Sequence, residues 1–451
     1  MTTTRSTQSS TIAAHAPTQD PAEVSAEALV REAALAARQA QREFAGATRA
    51  VKDAALLAMA SALRAQSGSI REANEEDLAA AREAGMKEGL VDRLALDEAR
   101  IERIAASVEE VAALPDPVGQ VVDGSTMPNG LRVRRLRVPM GVVGMIYEAR
   151  PNVTVDVAAL AVKAGNAVVL RGGSAAGRSN AAIVAVLRAS LAERGLPQDL
   201  VTTIDPAGRE GAQALMRARG LIDVLVPRGG AGLIRAVVEN SSVPVIETGS
   251  GNCHVYVDAS ADLEAAVGII VNAKTQRVGV CNAAETLLVH QDIAQEYLPA
   301  AARALWERGT TLHADDVSRA ILAAPAAGQG AERHLVAAVE EDWGTEYGSL
   351  DLAVRVVDGL ETAISHIRRY TTGHTEAVLA QDVAVINRFI AAMDSAAVMV
   401  NASTRFTDGG QLGLGAEFGI STQKLHARGP MGLAELTTTT WVVEGDGHVR
   451  P

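Results

Sequence analysis

Short apolar runs alternate with longer helical runs through the middle of this chain, and the joints between them leave room for little but a crossover. From residue 141 to 249 the runs are GVVGMIYEA, TVDVAALAVKAG, NAVVLRGG, SNAAIVAVLRASLAERG, LVTTID, GAQALMRAR, IDVLVPRGG, AGLIRAVVEN and VPVIETG. Strands joined through helices lie parallel in one sheet, and that sheet is covered on both faces. A second alternating block runs from about residue 249 to 403, with HVYVD, ETLLVH, LAVRVVD, TEAVLA and AAVMVN as its strands. The sequence therefore predicts an α/β fold of two doubly wound parallel sheets. The glycine pairs that close NAVVLRGG and IDVLVPRGG stand at strand carboxyl ends, where such sheets bind ligands.

The flanks obey other patterns. Residues 23–114 have helical periodicity and end at Pro115 and Pro117. Residues 121–138 alternate apolar and basic residues around the turn dipeptide Asn129-Gly130 and predict a β-hairpin. Residues 436–443 predict a terminal strand. Hairpin and terminal strand lie outside both blocks with no obvious partner in one subunit, so both are expected to serve as an oligomerisation arm; the alternative is that they pair with each other inside one chain. Residues 1–21 are rich in Ser, Thr, Ala and Gln, lack a secretory apolar run, and are expected to be a disordered tail.

Composition removes several function classes. A net charge of −12 without a basic block argues against nucleic acid or an anionic membrane as partner. No apolar run is long enough for a transmembrane helix. Two cysteines, Cys253 and Cys281, exclude a disulfide framework and fit a reducing cytoplasm. The nine histidines form no HxxxH or HExxH pair, so no metal site is expected. There is no G-x-S-x-G elbow and no G-x-G-x-x-G fingerprint, so a nicotinamide cofactor would have to be held in another way.

The remaining candidates sit in loops. Arg171-Gly172-Gly173-Ser174 offers a guanidinium, free N–H groups and a hydroxyl before a helix, which suits a phosphate. The alternative is a plain strand–turn–helix. Gly229 and Gly230 open a second helix and let the backbone approach a ligand closely, although on its own this segment reads first as a tight turn. Cys253 begins an apolar strand and reads as a core residue. Cys281 lies in a loop with Lys274 and Arg277 upstream, a setting expected to lower a thiol pKa and mark a nucleophile.

Seven segments in order resemble one family: EARPNVTVD, LRGGSAAGRSN, VPRGGAGLI, GNCHVYVD, NAKTQRVGVCNAAE, HTEAV and LGLGAEFGISTQKLHARGPMGL. Together they are similar to the gamma-glutamyl phosphate reductases (glutamate-5-semialdehyde dehydrogenases) of the aldehyde dehydrogenase superfamily, over residues 25–445. The resemblance implies an aldehyde dehydrogenase-like fold that divides into a tail (1–21), an NADP-binding domain including the hairpin (22–246), a catalytic domain (247–405) and a return segment with the terminal strand (406–451). It implies Cys281 as nucleophile and Asn152 as the oxyanion-hole amide. Glu247 falls where hydrolytic members keep a general base. Glu346 matches the glutamate that holds the nicotinamide ribose, although Tyr347-Gly348-Ser349 replaces the usual Phe-Gly-Pro. Arg171 and Ser174 are expected at the NADPH 2′-phosphate, with Lys163 as the alternative. Arg150, Lys274, Arg277 and the late loop of Ser403, Thr404 and Arg405 are expected at the substrate, L-glutamate 5-phosphate. A homodimer or dimer of dimers, a supplying glutamate 5-kinase and a cytoplasmic location also follow. Two other classes stay open: a hydrolytic or acyl-CoA-linked relative, and a non-catalytic scaffold on the same fold.

Overall fold

The computed structural model describes residues 25–450, and the predicted tail (1–21) lies outside the described residues. Five helices come first: α1 (Ala26–Phe44), α2 (Arg49–Ala65), α3 (Ser67–Glu83), α4 (Glu88–Leu94) and α5 (Glu98–Ala113). The hairpin β1 (Val121–Thr126) and β2 (Arg132–Pro139) follows, turning at Gly130 with φ +91°. The first block is β3 (Val142–Tyr147), α6 (Pro151–Lys163), β4 (Ala167–Arg171), α7 (Gly177–Glu193), β5 (Val201–Thr203), α8 (Gly208–Met216), β6 (Val224–Arg228) and α9 (Ala231–Asn240). The second opens with β7 (Cys253–Val257), α10 (Leu263–Thr275), β8 (Ala284–His290), α11 (Gln291–Trp306), β9 (Thr311–Ala314), α12 (Asp316–Gln329) and β10 (Leu335–Ala337). It closes with β11 (Asp351–Val357), α13 (Leu360–Tyr370), β12 (Thr375–Leu379), α14 (Val383–Ala392) and β13 (Ala397–Val400). The short strands β14 (Gly419–Ser421) and β15 (Gly429–Met431) and the terminal β16 (Thr437–Glu444) complete the chain.

The first block forms a parallel sheet in the order β5-β4-β3-β6, so the chain reverses its direction of travel at β3. Every residue of β3 is buried, as a central parallel strand demands. Helix α6 is apolar nearly all round and is buried between this sheet and α2, α5 and α7. The second block is a seven-stranded parallel sheet, β10-β9-β11-β8-β7-β12-β13. Its two faces bury separate apolar clusters, one around Val255, Leu287 and Leu352, the other around Tyr256, Leu288 and Phe389. Among the described residues no helix is long and apolar enough to cross a membrane.

Three expectations are corrected. The terminal strand does find a partner in its own chain: β16 runs antiparallel to β2 from Thr437↔Pro139 to Glu444↔Arg132, making a three-stranded sheet β1-β2-β16. VPVIETG is not a strand. Pro244 lacks the N–H a ladder needs, and only Val245 bridges to Leu225. The second block holds β9 and β10 beyond the five strands its apolar runs indicated.

Candidate active site

The two sheets meet around a cavity of about 800 Å³. The first sheet contributes the loops after β3 and β6, with Glu148, Arg150, Asn152, Gly229 and Gly230. The second contributes the loop before β8, with Arg277 and Cys281. Helices α4 and α5 add Arg93, Arg100 and Arg103, and the late loop adds Arg405, Asp408 and Glu417.

Cys281 is half-buried and reduced, as is the fully buried Cys253. The backbone around Cys281 is clamped. A Cβ on Gly251 would sit 1.4 Å from the Cys281 carbonyl oxygen, so only glycine lets the two loops meet. The Cys253 thiol donates to the same carbonyl at 3.2 Å. Arg93 Nη2 donates to Gly279 O at 3.0 Å and braces the loop from the other side. The Cys281 thiol lies 3.1 Å from His374 Nε2. Burial pushes that thiol up to about 12, Glu417 and Glu346 add to the effect, and Arg228 opposes it. The expected depression by Lys274 and Arg277 is therefore absent. Lys274 points into the core, and Arg277 is exposed.

Asn152 stands in the first turn of α6, with its amide 3.2 Å from Asp156 Oδ2. Burial raises the Asp156 carboxyl to about 6. Arg150 has its guanidinium pKa lowered, first by burial and then by Arg93, Arg228 and Arg277 around it. Glu148 opposes that shift, and Glu417 faces Arg228 at 3.5 Å, so carboxylates already stand among these guanidinium groups. The late loop arrives by a reversal at Asn401, which takes φ +50°. Asn282 then clamps it, donating to Thr407 O at 2.8 Å and accepting at its own carbonyl from Thr404 Oγ1 at 2.6 Å.

Similarity to known proteins agrees with this architecture. The family profile "Aldehyde dehydrogenase family" matches residues 4–349. A gamma-glutamyl phosphate reductase from Kineococcus radiotolerans is 62% identical over 425 residues, covering 93% of this chain and 97% of that protein. The chain belongs to the gamma-glutamyl phosphate reductase family. A crystal structure of a family member from Thermotoga maritima superposes with a TM-score of 0.89 at 47% identity, over 94% of this chain and 100% of the other. An acetylating aldehyde dehydrogenase from Geobacillus thermoglucosidasius shares the fold at 21% identity, with a TM-score of 0.68 over 94% and 98% of the two chains.

Within this reductase-family fold, Cys281, Asn152, Arg150, Arg277, Arg405, Glu346, Gly229 and Gly230 line one cavity. Other predicted residues do not. Lys274 is fully buried in a 2.5 Å ion pair with Glu285. Lys163 is equally buried, paired to Asp53 and donating to Ala112 O. Ser403 and Thr404 are buried in the loop they shape, Ser403 accepting from Arg405 N at 3.3 Å. Glu247 is turned to Gln423, which accepts its N–H at 2.9 Å and donates to its carboxylate at 3.4 Å.

Arg171, Gly172, Gly173 and Ser174 stand at the end of β4, apart from the cavity lining. Arg171 donates to Gly208 O and Gly172 O, and Ser174 is exposed. A Cβ on Gly173 would meet Ala149 N at 2.8 Å, so packing against the β3 loop already requires glycine there. Asp205, at the end of β5, accepts from Gly172 N at 2.6 Å and from Asn180 at 3.3 Å. Its carboxylate is engaged and so poorly placed to read a ribose hydroxyl. The β6–α9 turn shows that it accepts anions, because a Glu148 carboxylate oxygen takes the Gly230 N–H at 2.8 Å. These loops fit a dinucleotide phosphate.

Sequence reasoning missed Arg93, Arg228, Glu417 and His374. The segment HTEAV did hold a signal for His374: an imidazole placed directly before an apolar strand.

Proposed function

We propose that this chain reduces the acyl phosphate L-glutamate 5-phosphate to L-glutamate 5-semialdehyde and phosphate, the second step of proline biosynthesis from glutamate, through a thioester on Cys281. The observation that carries this reading is the cysteine opening on a cavity lined by Arg93, Arg150, Arg277 and Arg405 in a chain of net charge −12. A substrate bearing both a carboxylate and a phosphate can pair with these guanidinium groups.

Sγ attacks the acyl carbon, the C–S bond forms, and phosphate leaves. Charge on the carbonyl oxygen is met by the Asn152 amide and the Cys281 N–H, each such donor worth about 3 kcal/mol. NADPH, when bound, supplies the hydride that takes the thioester to the aldehyde. Residues 22–246 would hold it, with Arg171 and Ser174 at the 2′-phosphate, Gly173 and Gly229 giving N–H groups, Gly172 and Gly230 letting the backbone come close, and Glu346 at the ribose. Residues 247–405 would carry the chemistry. Ser403 and Thr404 would act through the loop they shape. The placement of Glu247 against Gln423 disfavours a hydrolytic relative, since no water needs activating in the reductive direction.

The arm β1-β2-β16 keeps two open edges, which supports a homodimer or dimer of dimers. A glutamate 5-kinase is the supplier such a substrate requires, and two free thiols fit a cytoplasmic location. The test is the reverse reaction, NADP⁺ reduction by glutamate semialdehyde. The expected rate depends on added phosphate. An equal rate without phosphate points to a hydrolytic enzyme, and a rate that needs coenzyme A points to an acyl-CoA reductase.

A further inference from the structure

We infer that His374 is the base that takes the proton of the Cys281 thiol, in the tautomer that Thr375 and Thr407 impose. The inference deepens the reading of Cys281 as nucleophile and rests on it.

His374 is fully buried at the amino end of β12. Its Nδ1 lies 2.8 Å from Thr375 Oγ1, and that hydroxyl donates its only hydrogen to Thr407 Oγ1 at 2.9 Å. Toward His374 the hydroxyl can therefore only accept, so Nδ1 carries the imidazole proton. Nε2 is left with a bare lone pair, 3.1 Å from Cys281 Sγ. Cys253 Sγ stands 3.8 Å from Nδ1, on the same side as Thr375. The tautomer is thus set by side chains outside the cavity, and the acceptor faces the nucleophile.

Both groups are neutral at rest. Burial alone lowers His374 to about 4, so at neutral pH the ring is an unprotonated base. The thiol beside it, held up by burial, Glu417 and Glu346 against Arg228, does not ionise unaided. Glu376 and Glu285 bear on the neighbouring Cys253 and raise it further. Resting thiol and imidazole are both neutral, and attack needs a proton acceptor within reach. As the S–C bond forms, the S–H bond breaks and its proton passes to Nε2. The C–O bond to phosphate breaks with its electron pair, and phosphate takes a proton from solvent. When the C–S bond later breaks, the pair returns to Sγ and Nε2 gives the proton back, so His374 ends neutral.

Alkylation of Cys281 in the full chain by iodoacetamide, followed by peptide mapping from about pH 5.5 to 8.5, tests the step without requiring the proposed activity. With a neutral base and a neutral thiol, the unmodified protein should react at a rate varying less than about threefold over that range. His374→Gln should react roughly a hundredfold more slowly at pH 7, and its rate should climb about tenfold per pH unit as thiolate alone reacts. Free imidazole should speed His374→Gly, with a rate that follows the neutral fraction of the added base and levels off above about pH 7. Thr375→Val keeps the imidazole, loses the tautomer control, and should be slower by about fivefold with the profile still flat. A folded His374→Gln with the original rate and profile overturns the inference. If that variant does not fold, an unchanged rate in Thr375→Val overturns it. Phosphate-independent oxidation of the semialdehyde would instead defeat the functional reading and leave the alkylation result standing.

Discussion

The two parallel sheets face the cavity with opposite ends. The four-stranded sheet presents the carboxyl ends of β3 and β6, and hence the N-termini of α6 and α9. The seven-stranded sheet presents the amino ends of β7, β8 and β12, where Cys253, the Cys281 loop and His374 lie, and hence the C-terminal ends of α10 and α13. Helix N-termini favour anions and C-termini do not. The first sheet can therefore offer an anion backbone N–H groups as well as Arg150 and Arg228, whereas the second side offers only arginines, Arg277 and Arg405. The same contrast explains the thiol. A cysteine beside helix C-termini gains nothing from a dipole, burial raises its pKa, and an imidazole is placed against it instead.

Removing the proposed nucleophile tests this division most severely. Cys281→Ala should cut turnover at least about a thousandfold while cofactor affinity stays within about twofold, because the proposed nucleophile and the proposed phosphate-binding turns belong to different sheets. Cys253→Ser should keep most activity, since a hydroxyl can also donate to the Cys281 carbonyl. Rapid-mixing assays alongside cofactor fluorescence titration would check both. A dead, well-folded Cys253→Ser beside an active Cys281→Ala would reverse the assignment.

Next in size is the contrast between lysines and arginines. Lys52, Lys163 and Lys274 are all fully buried in ion pairs, with Asp116, Asp53 and Glu285 respectively. Lys274→Met strands a buried carboxylate and should cost about 3–5 kcal/mol of stability, most of it regained when Glu285→Leu is added. Denaturant unfolding measures that. Arg277→Ala should leave unfolding unchanged and raise the KM for the acyl substrate roughly tenfold. A Lys274 variant with normal stability and a raised KM would return the residue to the substrate site.

Sequence alone distinguished Lys274 from Arg277 poorly, because both stand a few residues before Cys281. Which of them turns inward is decided by Glu285, whose strand pairs with β7 and β11. The central strands β3, β7 and β8 were legible because burial on both faces makes them continuous apolar runs. The short strands β9 and β10 were not, since three or four half-buried residues carry little pattern. His374 and Arg93 reach the Cys281 loop from 93 and 186 residues away, a juxtaposition no spacing rule contains.

A smaller effect is expected at the first sheet. Arg171→Ala should raise the KM for NADPH about tenfold and that for NADH hardly at all, as for one lost charge-assisted contact. Lys163→Met should instead show itself in unfolding experiments. An equal loss for both cofactors would mean that Arg171 serves the loop through Gly208 O and Gly172 O rather than a 2′-phosphate.

The least effect on a single turnover is expected at the arm, which stands outside both sheets. In-chain pairing of β16 with β2 satisfies the ladder expected to need a second subunit, yet among the described residues the outer edges of β1 and β16 stay open. Trp441 and Val443, on one face of β16, are 60% and 56% exposed, and Val121 on β1 is 55% exposed. Apolar side chains on an open edge are an association surface unless covered. Trp441→Lys combined with Val443→Lys places charge on that face without touching either sheet or the cavity. Light scattering should find the parent as a dimer or larger and the double variant shifted toward monomer, with kcat changed by less than about twofold. A parent that is monomeric at micromolar concentration, or a double variant that assembles as before, would show that the arm closes on its own subunit and contributes nothing to association.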